Sequence, residues 1–389
     1  PWCQAAPLIY TWTNNAGVPG GSGSSYSFTP TVAGKYTVTV TISDTVPQGT
    51  PAHDSNKTKS WTVYAVKAEV KQFLFTSDHG VLTDWTTDFA TDGGTIYNPR
   101  GWIKNGDNNP VSHTKDLNIT ANVVICVEPA GVAYNLEGDG PISALDFSAT
   151  GLTSTGSDQN VNVTSNGTLP LKVDVLNHSI TWEIKNIGGT DKTCDAGTSG
   201  PHKIFVTWGA PSGSTATHKR VEWVCTEATG ATTQEQCADK LWDAVASQTT
   251  FGDVTPRTDG WALLDGGRGV CNNQANCMKY AVLILGAGPA VVEFVRASTD
   301  NNCLDIQWRE CNIHGSDFLY FDFPGLNLFE AYRYYAITPK KKATSDLDMC
   351  CQLLAAGVTQ WWYEKLESGG HVKCSQCTEP VPNEVCNQQ

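Results

Sequence analysis

This chain of 389 residues is short of charge: Asp, Glu, Lys and Arg together make 17% of it. Positive residues are the scarcer, 26 Lys and Arg against 39 Asp and Glu, for a formal net charge of −13. An acidic chain without a basic stripe is poorly matched to phosphate backbones or anionic membrane surfaces, so nucleic acid is excluded as the expected partner. Long apolar runs are also missing. The longest, Ala281 to Val292, is broken by Gly286, Gly288 and Pro289, too short and interrupted for membrane insertion. Neither an initiator Met nor a signal peptide stands at the start, and Pro1 reads as a processed or truncated beginning. The D-x-D-x-D-G run of helix-loop-helix calcium sites is absent, and no cofactor is expected.

What is abundant points to β structure. With 36 Gly, 19 Pro and long Thr/Ser/Asn stretches, short strands and turns are favoured over long helices. The length has room for two to four domains of roughly 100 to 200 residues each. Fourteen cysteines are the mark of disulfides formed outside the reducing cytosol. Five N-x-Ser/Thr triplets, at Asn56, Asn118, Asn162, Asn166 and Asn177, fall in the first half. Together they predict a secreted or surface-exposed, disulfide-rich glycoprotein.

From Gly34 to Asp44, Tyr36, Val38, Val40 and Ile42 alternate with Thr37, Thr39 and Thr41, the period of a half-buried strand. Tyr10 to Thr13 and Ser60 to Val66 supply further strands, so residues 1–66 are expected to be antiparallel β. YTWTNNAG, SFTPTVAGKYTVTVTISD and WTVYAV, in that order, resemble the later strands of a PKD-type, immunoglobulin-like domain. Such a domain has further strands before YTWT. Either the domain is cut here, or an open edge is filled by another chain through strand addition.

Residues 67–228 continue in short β-branched runs: Asn122 to Glu128, Ile142 to Ala149, Leu171 to Leu176, Ile180 to Ile184, Lys203 to Trp208 and Arg220 to Cys225. Gly/Ser/Thr/Asp turns separate them, and a second, larger β-sandwich is expected. No repeat period is present, which excludes a solenoid reading.

At Ala231 the pattern changes. Thr232-x-x-Glu235 reads as a capping box, and Cys237, Leu241 and Val245 recur every four residues, predicting an amphipathic helix over 232–247. A second is predicted from Cys271 to Leu285, with Cys271, Ala275, Met278, Val282 and Leu285 on one stripe. Strands are expected at Val291 to Arg296, Leu304 to Ile313, Phe318 to Phe323 and Tyr332 to Thr338. Helix, helix, then antiparallel strands defines an α+β domain over 229–340.

The Gly-rich DGGRGVC, Asp265 to Cys271, delivers a cysteine to a helix start, where unpaired N–H groups and the helix dipole favour thiolate. Gly269-x-Cys271-x-x-x-Ala275, an apolar helix, a Gly/Pro turn and a strand resemble the transglutaminase-like superfamily from Thr232 to Thr338. The resemblance implies a papain-like fold using Cys, His and Asp in that order, with His-x-Trp-x-Glu on a strand. Trp308 and Glu310 match that motif, and Asp322 falls where the orienting Asp belongs. At the base position this chain has Ile306, which cannot take a proton from a thiol. His314 lies in a turn eight residues further on, on the order of 25 Å along an extended chain.

Each of these residues also has a plainer role. Cys271 fits a disulfide or a buried helix position, and if all fourteen cysteines pair it is no nucleophile. Asp322 fits a strand end, and Trp308 and Glu310 fit a sheet. The tail, 341–389, is expected to be Cys-rich and helical, opening with a helix capped at Ser345-x-x-Asp348. Cys374-x-x-Cys377 lacks a second pair at zinc-ribbon spacing, so disulfides are favoured over a metal. Trp361, Trp362 and Tyr363 either stack on a sugar or pack a helix on its neighbour. Pro339 to Lys342 reads as a solvated linker.

The expected fold is therefore multidomain: all-β immunoglobulin-like sandwiches followed by an α+β transglutaminase-like domain. The expected role is structural or adhesive and filament-forming, with self-association through an open edge and a catalytically degenerate C-terminal domain. A cysteine acyl transferase or amide hydrolase using Cys271, and a glycan-binding module using Trp361 and Trp362, are the alternatives.

Overall fold

The computed structural model describes residues 8–44, 56–251, 260–266, 268–269, 271–288, 291–298, 318–322, 332–336, 341–343, 362–367 and 370–376. Strands dominate, arranged in separate sheets, so the chain is a β-rich multidomain protein. Among the described residues no helix is long and apolar enough to cross a membrane.

The first sheet contains β1 (Leu8–Asn14), β2 (Gly21–Ser22), β3 (Gly34–Asp44) and β4 (Asn56–Ala65), in the order β2-β1-β3-β4 and antiparallel throughout. Alternation works as expected: Val38 and Val40 are buried, while the opposite face carries Thr11, Thr13, Thr37, Thr39 and Thr41. Tyr26 stacks on Trp12 at 5.7 Å and on Phe28 at 5.9 Å, and Trp61 lies 6.0 Å from Trp12, so aromatic rings cover part of the apolar face.

Nine strands form the second sheet: β5 (Lys67–Phe75), β6 (Gly101–Ile103), β7 (Val111–Thr114), β8 (Asn118–Glu128), β9 (Ala133–Asp139), β10 (Phe147–Thr153), β11 (Asp158–Thr168), β12 (Asp174–Lys185) and β13 (Cys194–Thr207). Their order is β6-β5-β8-β11-β10-β9-β12-β13-β7, and the sheet curls until β5 lies against β13. In β8 every second residue, Ile119, Ala121, Val123, Ile125 and Val127, is buried. Phe73, Phe147 and Trp182 meet in the interior with ring centres 5.2 to 6.0 Å apart, and Trp182 Nε1 donates to Ser199 Oγ at 2.9 Å. A buried indole N–H thus has its partner.

Four expected strands differ. Arg220 to Cys225 is not a strand but lies in helix α1 (His218–Glu227). Val221, Val224, Cys225 and Ala228 are buried at i, i+3, i+4 and i+7, and Thr217 Oγ1 accepts from Arg220 N at 3.2 Å. A helical stripe and an N-cap prevail over β-branched composition. Of Leu171 to Leu176 only the part from Asp174 is strand, and it merges with Ile180 to Ile184 into β12, because a bulge between His178 and Ile180 absorbs the break. Within Ile142 to Ala149, Ser143–Leu145 forms a 3-10 turn before β10, with Gly140 N donating to Asp146 Oδ1 at 3.0 Å.

Helices α2 (Gln234–Gln248) and α3 (Cys271–Ile284) join α1 in a layer over the nine-stranded sheet. Leu241, Trp242, Met278, Val282 and Leu285 share one buried cluster with Val173 and Phe205 of the β unit. The cap of α2 is one residue later than expected: Thr233 Oγ1 accepts from Gln236 N at 3.1 Å, and Gln236 Oε1 accepts from Thr232 N at 2.8 Å. The N-cap is therefore Thr233 rather than Thr232, and Gln236 turns back to the amide before the cap instead of closing a reciprocal box with it.

Two short strands, β14 (Thr250–Phe251) and β15 (Arg268–Gly269), pair in parallel ahead of α3. The last sheet comprises β16 (Val291–Ser298), β17 (Phe318–Asp322), β18 (Tyr332–Ala336), β19 (Lys341–Ala343), β20 (Trp362–Glu367) and β21 (Gly370–Gln376). It is antiparallel, in the order β19-β18-β17-β16-β20-β21. Trp362 and Tyr363 therefore lie on a strand rather than the expected helix, paired with Ser298 and Ala297 of β16. Cross-strand pairing, which no local pattern encodes, decides their conformation.

Candidate active site

The segment that leads to Cys271 is tied to a loop of the β unit by a carboxylate. Asp265, the first residue of the Gly-rich turn, accepts from Phe89 N at 2.8 and 2.9 Å and from Ala90 N at 3.1 Å. The same loop is gripped from its carbonyl side by Arg220, which is 2% exposed. Its Nε donates to Phe89 O at 2.8 Å, Nη2 to Phe89 O at 2.6 Å and Ala90 O at 3.2 Å, and Nη1 to Thr215 O at 3.1 Å and Asp92 Oδ1 at 2.6 Å. Lys219 adds a bond to Thr87 O at 2.7 Å and lies 4.4 Å from the Phe89 ring. A planar fork and a carboxylate thus saturate opposite sides of one loop.

From this anchor the chain passes through β15, where Gly269 pairs with Phe251, and enters α3 at Cys271. Ala275 follows on the same helix. α3 packs against β16 and β17, and Asp322 ends β17, paired with Val291 on one side and Tyr332 on the other. The Cys271 helix and the Asp322 strand are therefore neighbours. Ile306, Trp308, Glu310, His314, Trp361, Cys377 and the helix expected from Ser345 lie outside the described residues.

Thiols with described side chains are poor nucleophiles. Cys126, Cys194, Cys225, Cys237 and Cys277 are free, so the even count of fourteen does not oblige Cys271 to pair. Burial pushes Cys237 and Cys277 up to about 12, and burial followed by the neighbouring Cys237 pushes Cys225 up as well. Cys126 and Cys194 are also raised, chiefly by burial.

Histidines with described side chains belong to the β unit and α1. His202 accepts or donates at 2.8 Å with Ser199 Oγ, and burial pushes it down to about 3. His218 Nδ1 lies 2.9 Å from Tyr97 Oη, with burial and then Lys203 pushing it down to about 4 against the pull of Glu222. Among the described residues no group of three or more His, Cys, Asp or Glu could hold a metal ion.

Two concavities escaped sequence reasoning. A solvent-open cleft of about 750 Å³ on the sandwich is lined by Glu137, Asp139, Asp146, Glu183 and Asp195, with Lys185 bridging Glu137 at 2.5 Å and Glu183 at 3.7 Å. A smaller one of about 300 Å³ lies beside the clamp, between Asp92, Ser214, Trp261 and Tyr280. Asp265 itself was visible at the head of DGGRGVC, but nothing in the sequence signals its partner loop.

No protein-family model, no curated protein and no solved structure matches this chain.

Proposed function

We propose that this is an extracellular structural or adhesive protein whose copies join by strand addition at the first sheet, with a catalytically degenerate transglutaminase-like C-terminal domain. The observation that carries the reading is the outer edge of β4. This ten-residue strand is hydrogen-bonded to β3 alone among the described residues, leaving a row of N–H and C=O groups for another strand. Beside that edge Trp61 is 44% exposed and Val63 38% exposed, and Leu8 and Ile9 are exposed on β1. Backbone pairing with apolar contacts alongside is how strand addition gains affinity. The compartment rests on the count of fourteen cysteines alone, since the five with described side chains are unpaired.

Sedimentation of the chain over a range of concentrations tests this. Association that Trp61→Lys or Val63→Lys abolishes is expected, since a charge at an edge blocks pairing. A monomer at every concentration that binds neither itself nor a surface ligand overturns it.

A second reading rests on the placement of Cys271 at the start of α3 with Asp322 on an adjoining strand. It makes the domain an acyl transferase or amide hydrolase acting through a Cys271 thioester. Transamidation or amide hydrolysis that survives Cys271→Ala removes it.

A further inference from the structure

Strand β7 ends the strand order of the central sheet, with Val111, Ser112 and His113 each 1% exposed. Its four residues pair only with β13, in parallel, from Val111↔Ile204 to Thr114↔Thr207. On the other side the loop after β5 supplies His79 N to Ser112 O at 2.9 Å, and His79 Nε2 lies 3.2 Å from Thr207 Oγ1 and 3.5 Å from Thr114 Oγ1. His113, in the middle of β7, is 1% exposed, its ring 5.6 Å from that of Phe75, and its Nε2 has no hydrogen-bond partner. A neutral imidazole tolerates that position. An imidazolium there would be a buried charge without a counter-ion.

No free carboxylate is at hand to receive the proton's charge. From the loop, His79 faces His113, and from the turn before β6, Arg100 does; both oppose a further positive charge. Asp78 is already ion-paired to Arg100 at 3.0 Å. β5 presents Phe75, and β13 presents Thr207 and, across Phe75 at 5.8 Å, His202, which is bonded to Ser199.

We propose that β7 and the loop 76–80 form an acid-released flap on the sandwich, with His113 and His79 as its proton sensors. Held in place, His113 is pushed down to about 3 by burial, then His79 and Arg100, and burial lowers His79 too. Released into water, each returns towards its ordinary value near 6.5. At the two histidines the open form therefore binds more protons, and at about pH 4.5 His113 alone raises the opening constant on the order of 100-fold, with His79 adding in the same sense and Asp78, whose carboxyl burial raises in the closed form, opposing it in part. Release bares the β13 edge from Ile204 to Thr207, whatever the first sheet does.

Amide exchange of the whole chain at about pH 7 and about pH 4.5, corrected for intrinsic rates, tests the flap. Protection of 111–114 should fall on the order of 100-fold more than that of central strand β8. His113→Phe, which keeps a ring but takes no proton, should remove most of the difference, and His79→Gln part of it. Equal changes in β7 and β8 of the unaltered protein overturn the proposal without any variant. An undiminished loss in His113→Phe overturns it as well.

Discussion

Asp265 and Phe89, 176 residues apart in the chain, are joined by two hydrogen bonds of 2.8 and 2.9 Å from one amide to both carboxylate oxygens. Through them the turn that leads to Cys271 is fixed to a loop between β5 and β6 of the nine-stranded sheet. Removing the carboxylate leaves the amides of Phe89 and Ala90 without their charged acceptor. Asp265→Ala is expected to cost about 1.5 to 3 kcal/mol in denaturant unfolding and to speed amide exchange at both positions. Unchanged exchange there would show that the bonds contribute nothing.

Arg220 and Asp92 provide a contrast within one ion pair. Arg220 is 2% exposed on its side chain and Asp92 67%. Arg220→Lys loses the planar fork that reaches three backbone carbonyls, and about 3 kcal/mol or more of destabilisation is expected. Asp92→Ala removes an acceptor largely in water and should cost under about 1 kcal/mol. Equal losses in urea titrations would contradict the carbonyl-clamp account.

Thiol accessibility should follow burial. In the native protein near about pH 8, Cys225, Cys237 and Cys277 should resist iodoacetamide, while partly exposed Cys126 and Cys194 react slowly. Peptide mapping of the same sample reports on Cys271. Rapid labelling favours the thioester reading, and labelling only after reduction favours a structural disulfide.

Acid should destabilise the sandwich globally as well as at its edge. His202 and His218 are pushed down to about 3 and about 4 when folded, and in the unfolded chain they titrate near 6.5. Below about pH 6.5 the unfolded state binds more protons, so stability falls with pH, by up to about 1.4 kcal/mol per pH unit for each histidine, until the folded value is reached. Urea midpoints at about pH 7 and about pH 5 measure this. His202→Gln should flatten the dependence, while an unaltered slope would assign the acid sensitivity elsewhere.

Much of the local structure was legible in sequence because short-range periodicity determines it. The alternation of Tyr36, Val38, Val40 and Ile42 marked β3, and the stripe of Met278, Val282 and Leu285 marked α3. The β-rich multidomain class followed from turn residues and scarce charge. Tertiary structure decided the rest. Val221, Val224 and Cys225 are β-branched or small enough for either state, and the core they share with Leu241 and Val282 adds to the Thr217 cap in selecting the helix. Trp362 and Tyr363 became strand residues because β16 offered an unpaired edge. The grip of Arg220 and Asp265 on one loop joins three distant segments, and hydrogen bonds between residues so far apart leave no periodic trace in the chain.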